Sequence, residues 1–129
     1  LELDAFFLNE DRHTNNIAVL YDTEKDCYEL SPIFDQGLSL LADISYDFSL
    51  EQPLEECMKR VEAKPFHLSF EQQVDAAEEL YGIQIHFYFG AKEVQEELQT
   101  LNEGYSEKII VRVEQLLREQ MRRYAYLMD

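Results

Sequence analysis

Tryptophan is absent from the 129-residue chain, cysteine is limited to Cys27 and Cys57, and the four glycines stand apart at Gly37, Gly82, Gly90 and Gly104. Each scarcity excludes something. Two distant cysteines, with no Cys-x-x-Cys pair and no histidine cluster at ligand spacing, build neither a disulfide framework nor a structural zinc site. They read as free thiols in a reducing compartment. Glycines this dispersed form no phosphate-covering loop. No apolar run approaches the roughly twenty residues needed to span a bilayer, and no signal peptide is visible, so the expected location is cytoplasmic. Positive charge is scarce as well. Eleven Lys and Arg against 27 Asp and Glu leave a formal net charge of -16, which repels nucleic-acid phosphates and anionic membranes. Direct nucleic-acid binding and membrane association are accordingly set aside.

The remainder is ordinary globular composition, 46% hydrophobic and 29% charged, in a length that suits one domain with a single core. Two polar motifs stand in order within it. Asn9-Glu10-Asp11-Arg12-His13-Thr14-Asn15-Asn16 comes first, and Asp35-Gln36-Gly37 follows a hairpin-like segment. Phosphoryl transfer needs one carboxylate to orient the attacking hydroxyl and accept its proton. It also needs a carboxamide and a second carboxylate to hold metal ions against charge on the transferred group. Asp11 suits the first role, and Asn16 with Asp35 suits the second. The interval from Asp11 to Asn16 is that between base and metal ligand in a kinase catalytic loop. Singly, Asn15-Asn16 could be a loop entering a strand and Asp35-Gln36-Gly37 an ordinary turn; order and spacing carry the reading. Arg12, His13 and Gly37 read as loop organisers, Arg12 by pairing with a nearby carboxylate and His13 as a hydrogen-bonded structural group.

Ordinary protein kinases carry His-Arg-Asp at that point, whereas this chain reads Asp11-Arg12-His13. It resembles the atypical branch that holds the HipA-like Ser/Thr kinases and the phosphoinositide kinases. The HipA side matches better: Asn9-x-Asp11-Arg12-His13-x-x-Asn16, a short hairpin, then Leu30-x-Pro32-x-Phe34-Asp35-x-Gly37-x-Ser39-Leu40 resemble that family. Lys64-Pro65-Phe66 resembles a segment following its activation region. Beyond residue 66 the resemblance fades. It implies the helical C-terminal lobe of a protein-kinase-like fold, Mg2+ and ATP as cofactors, a protein hydroxyl as acceptor, and an antitoxin protein as partner in a toxin-antitoxin pair.

A loop to cover the nucleotide phosphates, and the lysine that pairs with them, have no candidate here. The first motif begins at Asn9, and Leu3, Phe6, Phe7 and Leu8 read as the tail of a helix entering it. The expectation is a lobe cut from a longer protein, inactive alone, whose partner is a missing N-terminal ATP-binding lobe. Its uncovered apolar surface, around Phe6, Phe7, Leu8 and the hairpin, is expected to pair with a second copy. Two rivals stay open. A lipid or small-molecule kinase shares the Asp-Arg-His order, but residues 38–50 hold no Lys or Arg for an anionic headgroup. A non-catalytic pseudokinase module would carry the motifs as remnants, against which the intact Asp11, Asn16 and Asp35 weigh.

The expected fold class is mainly α with a small β-hairpin, in one domain. Residues 1–37 form the catalytic loop and metal hairpin, 38–66 an activation-like segment, and 67–129 a helical bundle. Ile17–Tyr21 and Cys27–Ile33 are rich in β-favouring residues around a five-residue polar break, Asp22–Asp26, which predicts the hairpin. One short helix is expected at Leu54–Val61, with exposed hydroxyls at Ser39, Ser45, Tyr46 and Ser49 before it. Ser69 is an N-cap, Phe70, Val74, Ala77 and Tyr81 recur at helical spacing, and Gly82 is the stop. Ile83, Ile85, Phe87 and Phe89 alternate with polar neighbours and predict a strand or an extended connector. Val94, Leu98 and Leu101 mark another helix closed near Asn102–Gly104. The last runs from Ser106 to Leu127 with Ile109, Val113, Leu116, Leu117 and Tyr124 inward. On it Glu114 with Arg118, and Glu119 with Arg123, form i,i+4 pairs worth about 0.2–0.5 kcal/mol each.

Overall fold

Helix α1 (Glu2–Phe7) has six residues, too few to persist alone in water, and burial is what keeps it. In the computed structural model, which describes Leu1–Asp129, Ala5 and Phe6 are fully buried and Leu8 nearly so. The Phe6 ring lies 4.3 Å from Phe87, 5.1 Å from Phe7, 6.0 Å from Phe89 and 6.3 Å from Tyr124. Phe6 and Leu8 therefore do not belong to an exposed apolar surface, contrary to expectation. The helix ends at Leu8 in the left-handed region, φ 54°. Its last carbonyls, orphaned as at any helix end, accept from the buried Gln120 amide, at 2.8 Å for Ala5 and 2.9 Å for Phe6.

A 3-10 turn, Thr14–Asn16, leads into strands β1 (Val19–Asp22) and β2 (Cys27–Leu30). They pair antiparallel, with Val19 opposite Leu30 and Tyr21 opposite Tyr28. The connecting turn is residues 23–26, one shorter than expected. Asp22 keeps its backbone in the ladder while its carboxylate accepts from the amides of Glu24 and Lys25 at 2.9 and 3.2 Å. Past the strands the Ser31 amide still donates to the Ala18 carbonyl at 3.0 Å, while Ile17 and residues 32–33 lie outside the pairing.

Helices α2 (Leu54–Arg60), α3 (Phe70–Tyr81), α4 (Ala91–Gln99) and α5 (Glu107–Arg123) follow, then a 3-10 turn at Ala125–Leu127. The fold is mainly helical with one small hairpin, as the periodicities predict. Ser69 and Ser106 cap α3 and α5, accepting from Gln72 and Ile109. Gly82, at φ 72°, stops α3, the one glycine whose backbone requires the freedom that a missing Cβ gives. Helix α1 lies against α3 and α5, and α4 against α5.

Of the two readings of 83–89, the structure takes the extended connector: Ile85, Phe87 and Phe89 turn inward and Gln84, His86 and Tyr88 outward, and only Phe87 bridges, to Met128. Alternation reports half-buried extended backbone, whether or not a neighbour completes a ladder. Three other local expectations are corrected. Helix α5 ends at Arg123, because the chain tightens to put Leu127 in the core and its carbonyl on the Phe87 amide at 2.7 Å. Helix α4 ends at Gln99, ahead of a turn through Gly104. Glu114 does pair with Arg118, at 2.8 Å, but Glu119 pairs with Arg122 at 2.7 Å while Arg123 faces Glu71 at 3.7 Å.

Residues 38–53 lack regular structure but are anchored. Leu41 and Phe48 are buried, and Arg112 donates to the carbonyls of Phe48 and Gln52. Arg60 adds bonds to the Asp47 carbonyl and the Gln52 side chain, both at 2.6 Å. No helix is long and apolar enough to cross a membrane.

Candidate functional site

Because α1 is locked into the core, the loop leaving it starts from a fixed point, and Asp4 sets its course. Asp4 is 4% exposed and receives Asn9 Nδ2 at 2.9 Å and Arg12 Nε at 3.0 and 3.1 Å. Burial pushes the Asp4 carboxyl up, but the bonds from Arg12 and Asn9 outweigh it and hold the group below its ordinary value. A buried pair of this kind is costly to form and far costlier to break, since removal of one member strands the other charge.

Arg12 Nη1 reaches away from Asp4 and donates both to the Asn16 carbonyl at 2.6 Å and to the Phe34 carbonyl at 2.8 Å. One nitrogen thus brings the end of the first motif and the approach to the second within two hydrogen-bond lengths of each other, across the 17 residues that carry the hairpin. Two backbone bonds close the other side, Glu10 to the Leu38 carbonyl at 3.2 Å and Leu40 to the Phe7 carbonyl at 2.7 Å. The turn between is held at Asp35, φ 58°, and Leu40 and Leu41 are left-handed too. Left-handed non-glycine residues cost roughly 1 kcal/mol or more each, and such strain gathers at functional sites. Gly37 is not left-handed, and a Cβ there would meet nothing within 4 Å; neither space nor backbone demands glycine at that place.

Asn16 is 8% exposed and its Nδ2 donates to the Asp11 carbonyl at 2.7 Å. That bond fixes the amide so that Oδ1 faces away, with no hydrogen-bond partner. The Asp11 amide donates to Asn9 Oδ1 at 3.2 Å, while no donor in the chain is hydrogen-bonded to the Asp11 carboxylate. His13 Nδ1 accepts from the Asn15 amide at 3.2 Å, and its Nε2 lies 3.2 Å from Asn16 Nδ2 and 3.7 Å from Asp11 Oδ1. Asp35 is exposed and its carboxylate is likewise free of partners. Asp11, Asn16 and Arg12 are therefore brought into direct contact, Asp35 joins them through Phe34, and three oxygen groups remain unspent. A cleft of about 340 Å³ opens beside them, lined by Arg12, Asn16, Ile17, Ile33, Phe34 and Phe66 among others. Asp11 and Asp35 do not line it.

No group of three His, Cys, Asp or Glu side chains is placed to hold a metal. Hard cations such as Mg2+, however, keep waters and substrate phosphates as ligands and ask the protein for one or two oxygens. Asn16 Oδ1 and the Asp35 carboxylate are oxygen groups of that kind, and Arg12 ties their backbones together through the Asn16 and Phe34 carbonyls.

Glu10, Gln73 and Asp4 support the site and carry no motif of their own. Glu10 Oε1 accepts the Glu62 amide at 3.3 Å; burial, with the charges of Asp47 and Glu62, raises its pKa against that bond and Lys64. Asp4 had a signal in the sequence: a carboxylate inside the apolar run Leu3-Asp4-Ala5-Phe6 needs a cation, and Arg12 is the next one along. Comparison with protein families, curated proteins and solved structures finds no match.

Proposed function

We propose that this chain is the helical C-terminal lobe of a HipA-like Ser/Thr protein kinase, which transfers the ATP γ-phosphoryl group to a protein hydroxyl. The carrying observation is Arg12, whose Nη1 ties the Asn16 and Phe34 carbonyls together and leaves Asp11, Asn16 and Asp35 with unspent oxygens. In this reading Asp11 accepts a hydrogen bond from the acceptor hydroxyl, aligns its oxygen for attack and takes its proton. Asn16 Oδ1 and Asp35 hold Mg2+, which when bound neutralises charge on the phosphoryl oxygens. Arg12 positions both ligands and touches no substrate.

The phosphate-covering loop and its lysine come from an ATP-binding lobe outside this chain. A surface suits it: Val19, Tyr21, Tyr28 and Leu30 share one face of the hairpin by register and are 58, 48, 70 and 77% exposed. Contiguous apolar surface of this kind marks an interaction site. A cytoplasmic setting rests on the two free cysteines and the lack of an apolar span, and an antitoxin partner on the resemblance alone.

Manganese tests the metal assignment on the chain itself, by paramagnetic broadening in NMR spectra. Low Mn2+ should broaden the Asn16 side-chain amide and the Asp35 backbone first, and Asp35→Ala should abolish that pattern. Broadening confined to the acidic faces of α3 and α4 would refute it.

A further inference from the structure

Lys64-Pro65-Phe66 stands out in the sequence, and the three proposed roles leave it unused. The structure returns it to the first motif. Lys64 Nζ lies 3.8 Å from Asp11 Oδ1, although 53 residues separate them. Five hydrogen bonds hold the backbone that carries it. The Glu62 amide donates to Glu10 Oε1 at 3.3 Å, beside Asp11. The Ala63 amide donates to the Leu68 carbonyl at 2.8 Å, with Ala63 buried at 1%. Gln73, 3% exposed, donates from Nε2 to the Lys64 carbonyl at 3.0 Å and accepts on Oε1 from the amides of Phe66 and His67 at 2.9 and 3.2 Å. A buried glutamine with both ends of its amide spent on one short turn is a clamp, and the clamped turn presents Lys64.

The ammonium is not consumed where it stands. Its distance from Asp11 is the longest of the ion pairs in the chain, beyond the roughly 2.7–2.9 Å of a charge-assisted hydrogen bond. Arg12, buried beside Asp11, is spent on Asp4 and two carbonyls. Lys64 is the positive charge that the clamped turn brings to the candidate base, its side chain 51% exposed, in a chain whose net charge of -16 otherwise repels a phosphate.

We propose that Lys64 is a further catalytic residue of this site, which contacts the transferred phosphoryl group and holds its charge as the acceptor oxygen attacks. The assignment rests on the kinase reading. In the step, the acceptor oxygen bonds to the γ-phosphorus, its proton passes to Asp11, and the bond from phosphorus to the bridging oxygen breaks with its electron pair leaving on ADP. Lys64 forms and breaks no covalent bond. A compact ammonium suits an anion as a point charge, and charge held at the transition state lowers the barrier where equal ground-state binding does not.

Inorganic phosphate titrated into the chain and followed by NMR tests the contact without turnover. The Lys64 ε-methylene and the Asp11 amide should move together in the wild type, the Asp11 amide should still move in Lys64→Arg, and its movement should vanish in Lys64→Met. Equal Asp11 movement in Lys64→Met would overturn the assignment. In the polypeptide that also carries the ATP-binding lobe, Lys64→Met should lower kcat on the order of 100-fold, as loss of one donor to developing charge does, with KM for ATP little changed. Lys64→Arg should recover part of the loss. Wild-type kcat in Lys64→Met alongside an inactive Asp11→Ala defeats the lysine assignment alone, whereas wild-type kcat in Asp11→Ala defeats the kinase reading and the assignment with it.

Discussion

Replacing Asp4 by alanine should destabilise the chain severely without touching any proposed substrate contact. The side chain is 4% exposed and is the carboxylate partner of a guanidinium that is itself 5% exposed, so the substitution strands a buried positive charge. Breaking such a pair costs about 3–5 kcal/mol. With an unfolding entropy of about 2.1 cal/mol/K per residue, that is a fall in Tm of about 10–20 °C for a domain of this size. Thermal unfolding followed by circular dichroism reads it directly. The double variant Asp4→Leu with Arg12→Met removes both charges and should recover much of the loss. Asp4 titrates below its ordinary value in the fold, so its contribution is complete above that value and is lost as pH falls through the folded one; the gap between wild type and Asp4→Ala should therefore narrow in strong acid. Asp11→Asn is the control. Its carboxylate is 28% exposed and unbonded, so stability should stay within about 0.5 kcal/mol of wild type. A small loss in Asp4→Ala, or one as large in Asp11→Asn, would refute the division between the residue that builds the loop and the residue it presents.

Glu10→Gln keeps the acceptor for the Glu62 amide and removes a charge that burial disfavours. Because the folded pKa of Glu10 is raised, its ionisation costs stability above the ordinary carboxylate range and costs nothing below it; Tm should rise at pH 7 and match wild type near pH 3, and no rise at pH 7 would contradict this. The hairpin face of Val19, Tyr21, Tyr28 and Leu30 should drive self-association of the isolated chain, tightening as salt screens the charge of -16. Leu30→Asp should weaken it in sedimentation, and a strictly monomeric wild type at high protein and high salt would refute the assignment of that face.

Elements defined by local chemistry were legible in the sequence. Ser69, Ser106 and Gly82 sit where caps and a stop are needed, so α3 and α5 are written in a few residues each. The hairpin follows from β-favouring residues around a turn that Asp22 organises. Long-range partners left no such mark. Nothing in the alternation of 83–89 says that its neighbour is the chain end, and nothing near Phe6 says that Phe87 covers it. Arg123 was an equal helical partner for Glu119 until α3 placed Glu71 within its reach. In the site, spacing gave the order of Asp11, Asn16 and Asp35, but not Arg12 as the tie or Lys64 as a neighbour, since both depend on how residues 34 and 62–73 return to the loop.

Transfer of labelled γ-phosphoryl from ATP to a protein hydroxyl, measured with the polypeptide that carries both the ATP-binding lobe and this chain, is the most direct test of the central claim. The account predicts Mg2+-dependent transfer by the wild type, loss in Asp11→Ala and in Asp35→Ala with the fold intact, and none from this chain alone. Undiminished transfer by the folded Asp11→Ala protein would contradict it.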